Sequence, residues 1–191
     1  MARERKFSTD DLYLATRQLL LIHGYEGFTV SLLADRLEVS RGAIYKYFEN
    51  KEELITEYMI SEMNEYLLKL DHMKKYESFE AQFDFLLNLI FSDTEITKLI
   101  NIGRQIPANI SERVAKNKEK LEALHLHMYD CLQNFIDLGR KEKKLKAQIP
   151  DPLILGFILQ TITIPNHANI PKKQWIESIK EIIKNGMFTN N

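Results

Sequence analysis

Apolar residues recur at helical spacing along most of the chain, and no segment alternates apolar and polar residues as a half-buried strand would. The first predicted helix begins at a capping box formed by Ser8 and Asp11, and Gly24 ends it. Later segments repeat this pattern of a polar cap followed by an apolar stripe. The sequence therefore predicts an all-α protein with about nine helices.

The first 50 residues contain three of these helices, all short. Thr29 caps the second, and Ser40 caps the third, which is predicted from Arg41 to about Phe48. Only a tight link, residues 38–40, separates the second helix from the third. This spacing is typical of a helix-turn-helix, in which the second helix of the pair enters the DNA major groove.

The two faces of the third helix differ in character. At about 100° per residue, Ile44 and Phe48 fall on one side, whereas Gly42 and Lys46 fall on the other. The polar side suits close approach to a phosphate backbone, aided by the free N–H groups at the start of the helix. The alternative interpretation is an ordinary charged and solvated helix surface.

Beyond residue 50 the chain predicts a second, larger helical domain, covering residues 51–191, after a DNA-binding domain covering residues 1–50. A long helix is predicted up to about Asp71, and another from about Ser111 to Leu145. The longest apolar run, residues 153–164, lies between Pro152 and Pro165. It is shorter than the roughly 20 residues that span a bilayer, so it predicts a buried helix and no membrane segment.

Composition and charge narrow the possible functions. The 191 residues carry 26 Lys and Arg against 27 Asp and Glu, a formal charge of −1, which excludes a histone-like polycation. Affinity for DNA must therefore come from positive charges concentrated in one part of the chain. The segment from Arg36 to Lys51 contains four basic and two acidic residues. The single cysteine, Cys131, excludes an intrachain disulfide and fits a reducing, cytoplasmic location.

Four successive segments closely resemble the DNA-binding domain of TetR-family regulators: residues 24–30, 33–34, 39–48 and 50–54. The similar region covers roughly residues 8–58. The resemblance implies an all-helical homodimer with a three-helix DNA-binding domain and a larger domain for ligand and dimer contacts. It also implies repression that an effector relieves.

The resemblance assigns DNA-contacting roles to eight residues. Thr29 matches a phosphate-contacting cap, and the first residues of the third helix match the positions nearest the base edges. A bidentate contact of Arg41 to guanine is worth about 1–3 kcal/mol of discrimination. Lys46 departs from the aromatic residue or histidine that is frequent in the family at its position. The eight predicted DNA-binding residues are Thr29, Arg41, Gly42, Ala43, Tyr45, Lys46, Tyr47 and Lys51.

The second domain is predicted to hold an unknown small-molecule effector and the dimer contacts. The candidates for the pocket are mostly aromatic and aliphatic side chains at helical spacing, which are also typical of an ordinary hydrophobic core. The residues predicted to line an effector pocket are Tyr66, Phe83, Leu87, Ile102, Met128 and Phe157, with Gln105 or Gln160 as polar contacts. The predicted dimer contacts on the last two helices are Leu153, Phe157, Ile179 and Ile183.

Other candidate chemistry is weaker. His125 and His127 lie about 200° apart on a helix, so they cannot chelate one metal ion. Cys131 is predicted as a small buried hydrophobe, because it lies in an apolar seam of the long helix. The alternative, a redox-sensing thiol, would need an activating cation nearby. The chain lacks a nucleophile elbow, a P-loop and a zinc-protease motif, so we expect no cofactor, no metal and no enzymatic activity.

Together these observations predict a transcriptional repressor that binds a palindromic, double-stranded operator as a homodimer and that a small-molecule effector releases. The alternative is a helical small-molecule carrier or enzyme in which the first three helices are only structural.

Overall fold

The computed structural model describes residues 7–187, and this part of the chain contains nine α-helices and no strand. The all-α prediction is therefore confirmed. The helices are α1 (Thr9–Gly27), α2 (Val30–Arg36), α3 (Arg41–Tyr45), α4 (Lys51–Asp71), α5 (Phe79–Ile90), α6 (Ile96–Gln105), α7 (Glu112–Lys141), α8 (Asp151–Gln160) and α9 (Lys172–Met187). Short 3-10 turns, His72–Lys75 and Thr161–Thr163, follow α4 and α8. No helix in the described part is long and apolar enough to cross a membrane.

Local capping sets where α1 begins. The hydroxyl oxygen of Ser8 accepts a hydrogen bond from the backbone N–H of Asp11 at 3.0 Å, and the Asp11 carboxylate accepts one from the Ser8 backbone N–H at 3.2 Å. The predicted capping box is thus confirmed. Gly24, where the helix is predicted to end, does interrupt it: its backbone has a φ of 67°, a conformation that glycine adopts without steric cost. A short helical segment follows this kink up to Gly27.

The chain forms two compact units, and α4 and α7 contribute residues to both. The first unit contains residues up to 64 and residues 95–124, and the second contains residues 65–94 and the residues from 125 onward. This division differs from the predicted break after residue 50. The reason is that α6 packs against α1, while Val114 near the start of α7 is fully buried in the same core.

The core of the first unit positions the short helices. Besides Val114, its fully buried members include side chains of α1, α2, α3 and α4: Leu20, Leu33, Ile44, Leu54 and Ile55. Because α3 has only five residues, its orientation depends on this packing rather than on intrinsic helix stability.

The second unit is built around stacked aromatic rings. Phe79 and Phe135 have ring centroids 4.7 Å apart, and those of Phe79 and Phe83 are 6.3 Å apart. Gly139 of α7 lies so close to Phe79 that a Cβ atom there would come within 2.7 Å of the ring. The close approach of these side chains makes this a tightly packed core.

Candidate nucleic-acid interface

The link between α2 and α3 is a tight turn that its own backbone stabilises. The side chain of Thr29 caps α2 by accepting a hydrogen bond from the N–H of Leu32 at 3.2 Å, as the sequence predicts. At the other end of α2, the N–H of Val39 donates to the carbonyl oxygen of Ala34 at 3.0 Å. Glu38, in the link between α2 and α3, has a φ of 53°, in the left-handed region, which turns the chain sharply into α3.

Helix α3 presents one face to the core and the opposite face to solvent. Ile44 is fully buried, and Phe48, just after the helix, is almost so. On the other face Arg41, Gly42 and Lys46 are exposed, and the Tyr45 side chain is 51% exposed. The faces predicted from helical spacing are confirmed. The helix is shorter than predicted, since it ends at Tyr45 and only a turn continues to Phe48.

The remaining predicted DNA-contacting residues differ in their exposure. Thr29 is exposed and Ala43 is half-buried. The Tyr47 ring is also half-buried and meets the ring of Phe7 edge to face, with centroids 6.2 Å apart. The N-terminus of α3 lacks a side-chain cap, because the hydroxyl of Ser40 makes no capping hydrogen bond there.

Lys51, which is predicted to contact DNA, also makes hydrogen bonds within the protein. Its ammonium group donates to the carbonyl oxygens of Tyr25 at 2.8 Å and of Phe28 at 3.3 Å, which lie at the end of α1. The phenol of Tyr25 donates in turn to the Glu52 carboxylate at 2.8 Å. Burial, followed by this contact with Glu52, raises the pKa of Tyr25 to about 12, so the phenol stays neutral at physiological pH.

Sequence reasoning missed a charged cluster beside α3. Arg113, at the start of α7, donates to the carbonyl oxygen of Tyr47 at 2.8 Å and forms an ion pair with Glu57. The buried carboxylate of Glu53 accepts from the Ser111 hydroxyl at 2.9 Å. These contacts join residues about sixty positions apart, so no local sequence pattern could have revealed them.

The residues predicted to line an effector pocket are divided between the two compact units. Ile102 and Gln105 belong to the first unit, where Gln105 is exposed and donates to the Asn101 carbonyl of its own helix. The others belong to the second unit, where Phe83, Leu87 and Met128 are buried, Tyr66 is half-buried and Phe157 is exposed. Gln160, the alternative polar contact, is exposed as well.

A surface groove of about 400 Å³ in the second unit includes one of these predicted residues, Leu87. The residues that line it come from α5 and from the start of α9: Asp84, Leu87, Asn88, Lys172, Lys173, Ile176, Glu177 and Lys180.

The predicted dimer residues divide into two groups. Leu153 and Phe157, four positions apart on α8, are 60% and 49% exposed. Ile179 and Ile183 are buried in the chain's own core, so the stripe that α9 leaves exposed carries Ile182 instead, at 65%. The prediction for α9 therefore needs correction, because its exposed apolar surface lies one position away from Ile183.

His125 and His127 both lie on the exposed surface of α7. The His125 ring packs against Tyr129, and Nε2 of His127 lies 3.6 Å from the sulfur of Cys131. Cys131 is half-buried rather than fully buried. Within residues 7–187, no group of three or more His, Cys, Asp or Glu side chains is arranged to hold a metal ion.

Comparison with known proteins agrees with this geometry. Residues 12–58 match the family model described as "Bacterial regulatory proteins, tetR family". YdeS from Bacillus subtilis, described as an uncharacterized HTH-type transcriptional regulator, is 25% identical over 78% of this chain and 75% of its own length.

Two solved structures share the fold. The transcriptional regulator FadR from Bacillus subtilis, in complex with stearoyl-CoA, superimposes with a TM-score of 0.72 at 19% identity, covering 94% of this chain and 99% of FadR. A putative transcriptional regulator from Saccharomonospora viridis, in complex with choline, has a TM-score of 0.76 at 12% identity, covering 95% and 97%. At these identities the likeness extends to the fold alone.

Proposed function

Because the chain belongs to the TetR family of DNA-binding transcriptional regulators, we propose that it is a cytoplasmic repressor that binds a palindromic operator as a homodimer and is released by a small-molecule effector. The observation that carries the proposal is the solvent-facing side of α3 and of the residue after it, where Arg41, Gly42, Tyr45 and Lys46 are exposed. The core-facing side of the same helix is apolar, so this polar face is free to enter a major groove.

The proposed contacts are of two kinds: some residues read the base sequence, and others bind the DNA backbone and position the protein on it. Arg41, Gly42 and Ala43, at the start of α3, lie nearest the bases, and the free N–H groups of this end favour a phosphate beside them. Five further residues contact the DNA backbone and set the register without reading sequence: Thr29, Tyr45, Lys46, Tyr47 and Lys51. Two copies of α3 then require an operator with twofold symmetry.

The second copy would pack against α8 and α9. Leu153 and Phe157 place two large apolar side chains one turn apart on the exposed side of α8, and Ile182 adds a third on α9. Large apolar side chains that lie next to each other on a helix, as Leu153 and Phe157 do, are seldom left exposed to water, which supports an interface along α8. A homodimer built this way is isologous, with the same patch on both subunits.

The effector is proposed to bind in the second unit. The two structural neighbours carry different ligands, stearoyl-CoA and choline, so the fold alone does not specify the chemical class of the effector. Release needs no contact with DNA. An effector that prefers the conformer with weak DNA affinity lowers operator binding by the ratio of its two affinities, typically 5- to 150-fold.

The proposal is tested by selecting genomic fragments that the purified protein retains and then measuring fluorescence anisotropy of the best fragment at rising salt. We expect affinity for both operator and random duplex to fall steeply with salt, because phosphate contacts release counterions. The double variant Tyr45→Ala and Lys46→Ala should bind all sequences more weakly.

The matched control is Lys69→Ala, which also removes one positive charge but lies in the second unit, 3.9 Å from Glu65. It should bind as the unaltered protein does. A flat salt response, with no fragment enriched, would contradict the proposal and favour the carrier alternative.

A further inference from the structure

We propose that Arg113 is a positioning residue for the DNA interface: from the start of α7 it fixes the end of the recognition helix α3 through contacts that do not involve DNA. This inference rests on the proposed function. It adds a residue about seventy positions beyond α3 to those that determine DNA affinity.

The contacts of Arg113 converge on the segment that connects α3 to α4. One terminal nitrogen of its guanidinium donates to the carbonyl oxygen of Tyr47 at 2.8 Å, and the guanidinium lies 5.5 Å from the centroid of the Phe48 ring. The other terminal nitrogen pairs with Glu57 in the second turn of α4. The planar fork of arginine thus holds a backbone carbonyl and a carboxylate with two separate nitrogens, a geometry that the single nitrogen of a lysine ammonium does not reproduce.

The carboxylate of Glu53 connects the same segment to α7 a second time. Its side chain is 1% exposed and accepts from the backbone N–H of Glu49 at 3.0 Å and from the hydroxyl of Ser111 at 2.9 Å. Arg113 lies 3.5 Å from it and supplies the positive charge. A buried carboxylate needs such partners, so these contacts favour this arrangement of the cluster.

This arrangement bears directly on the proposed interface. The segment held by Arg113 begins at Tyr47, two residues after Tyr45 and one after Lys46, both of which are proposed to contact the DNA backbone. Since α3 has only five residues, removing the restraint on its C-terminal side would let these side chains leave their register. Contacts to phosphate and base edges depend strongly on such placement.

The test compares Arg113→Ala, Arg113→Lys and the control Lys116→Ala in full-length protein. Lys116 also carries a positive charge in the first turns of α7, but its ion pair within residues 7–187 is with Glu112 on its own helix. Binding to the selected operator is measured by anisotropy across a salt series, at a temperature well below the unfolding midpoint of every variant. Hydrogen exchange is followed at the amides of residues 46–50.

We expect Arg113→Ala to bind about tenfold more weakly with an unchanged salt slope and faster exchange at residues 46–50. Arg113→Lys should recover only part of the affinity, and Lys116→Ala should match the unaltered protein. A salt slope shallower by about 0.9 in Arg113→Ala would mean that Arg113 itself neutralises a DNA phosphate, and would overturn the inference.

Equal affinity and exchange in Arg113→Ala would overturn it too. Failure of the unaltered protein to bind any fragment would instead overturn the proposed function, so the two failures are distinguishable.

Discussion

The ammonium group of Lys51 lies 4.4 Å from the centroid of the Tyr25 ring and donates a hydrogen bond to the carbonyl oxygen of the same residue at 2.8 Å. Lys51 begins α4, and Tyr25 lies in the last turn of α1. One side chain therefore satisfies backbone carbonyls at the end of one helix from the start of another. A residue assigned to DNA by resemblance also has a structural role in the first unit.

Replacing Lys51 with methionine should consequently affect both stability and DNA binding. Methionine keeps most of the apolar stem but removes a charged donor of two hydrogen bonds, which costs about 1.5–3 kcal/mol of unfolding free energy. Chemical denaturation measures this cost. The matched substitution Lys46→Met, at an exposed position, should change stability by less than about 0.5 kcal/mol while weakening DNA binding. Equal stability for both variants would refute the structural role of Lys51.

Features that depend on near neighbours were predictable from the sequence. The capping box at Ser8 and the cap at Thr29 each involve a partner three residues away, and the faces of α3 follow from helical periodicity through Ile44. Such signals are local, so the sequence contains them directly. Together with the family resemblance, they were enough to predict the fold class and the face of α3 that points to solvent.

Features that depend on distant packing were not predictable in this way. Arg113 reaches Tyr47 across 66 positions, and no spacing rule connects the two. On α9, periodicity identifies an apolar stripe but does not show which residues pack into the chain's own core. It therefore predicts dimer contacts at Ile179 and Ile183, which are buried, whereas Ile182 is exposed. Choosing between these requires knowledge of the neighbouring helices.

Arg41 and Tyr45 should have separable effects on DNA recognition. Arg41→Ala is expected to weaken operator binding and to relax preference at one base pair by about 1–3 kcal/mol, because alanine cannot make a bidentate hydrogen bond to a base edge. Tyr45→Ala should weaken binding to all duplexes similarly, because Tyr45 is proposed to contact the backbone. Competition with operators altered one base pair at a time measures both effects. Unchanged preference in Arg41→Ala would remove it from the reading positions.

Stability should depend on pH through Asp11. Hydrogen bonds from the Ser8 side chain and then from its backbone N–H lower the pKa of this carboxyl below its ordinary value of 3.8. A group whose pKa is lower in the folded state stabilises it above the unfolded-state pKa, and this contribution is lost as pH falls through the folded-state value.

The stability difference between the unaltered protein and Asp11→Asn should therefore be constant above about pH 5 and shrink as the pH falls below about 4. Thermal unfolding over this range measures it, with Asp10→Asn as the control in the same helical turn. A difference that persists unchanged at low pH would show that the Asp11 charge is not responsible.

Gly139 should tolerate no larger residue. A Cβ atom there would lie 2.7 Å from side-chain atoms of both Leu145 and Phe79, and the Phe79 ring is held by stacking on Phe135. Gly139→Ala is therefore expected to destabilise the protein by about 1–3 kcal/mol through overpacking. A Cβ atom added at Gly186 would have no neighbour within 4 Å. Gly186→Ala should therefore be neutral or slightly stabilising, because alanine has the higher helix propensity. Equal unfolding midpoints would contradict the close packing.

Phe157 provides the sharpest test of the proposed dimer. Its side chain is 49% exposed on α8, one turn from Leu153 at 60%, so a negative charge there leaves the chain's own core intact. Phe157→Glu should place two like charges in an isologous interface, because each subunit contributes the same patch. We expect a monomer by light scattering, with unchanged helical content and much weaker operator binding. Leu126→Glu, at a residue 58% exposed on α7, should remain dimeric. A dimeric Phe157→Glu variant would place the interface elsewhere on the molecule.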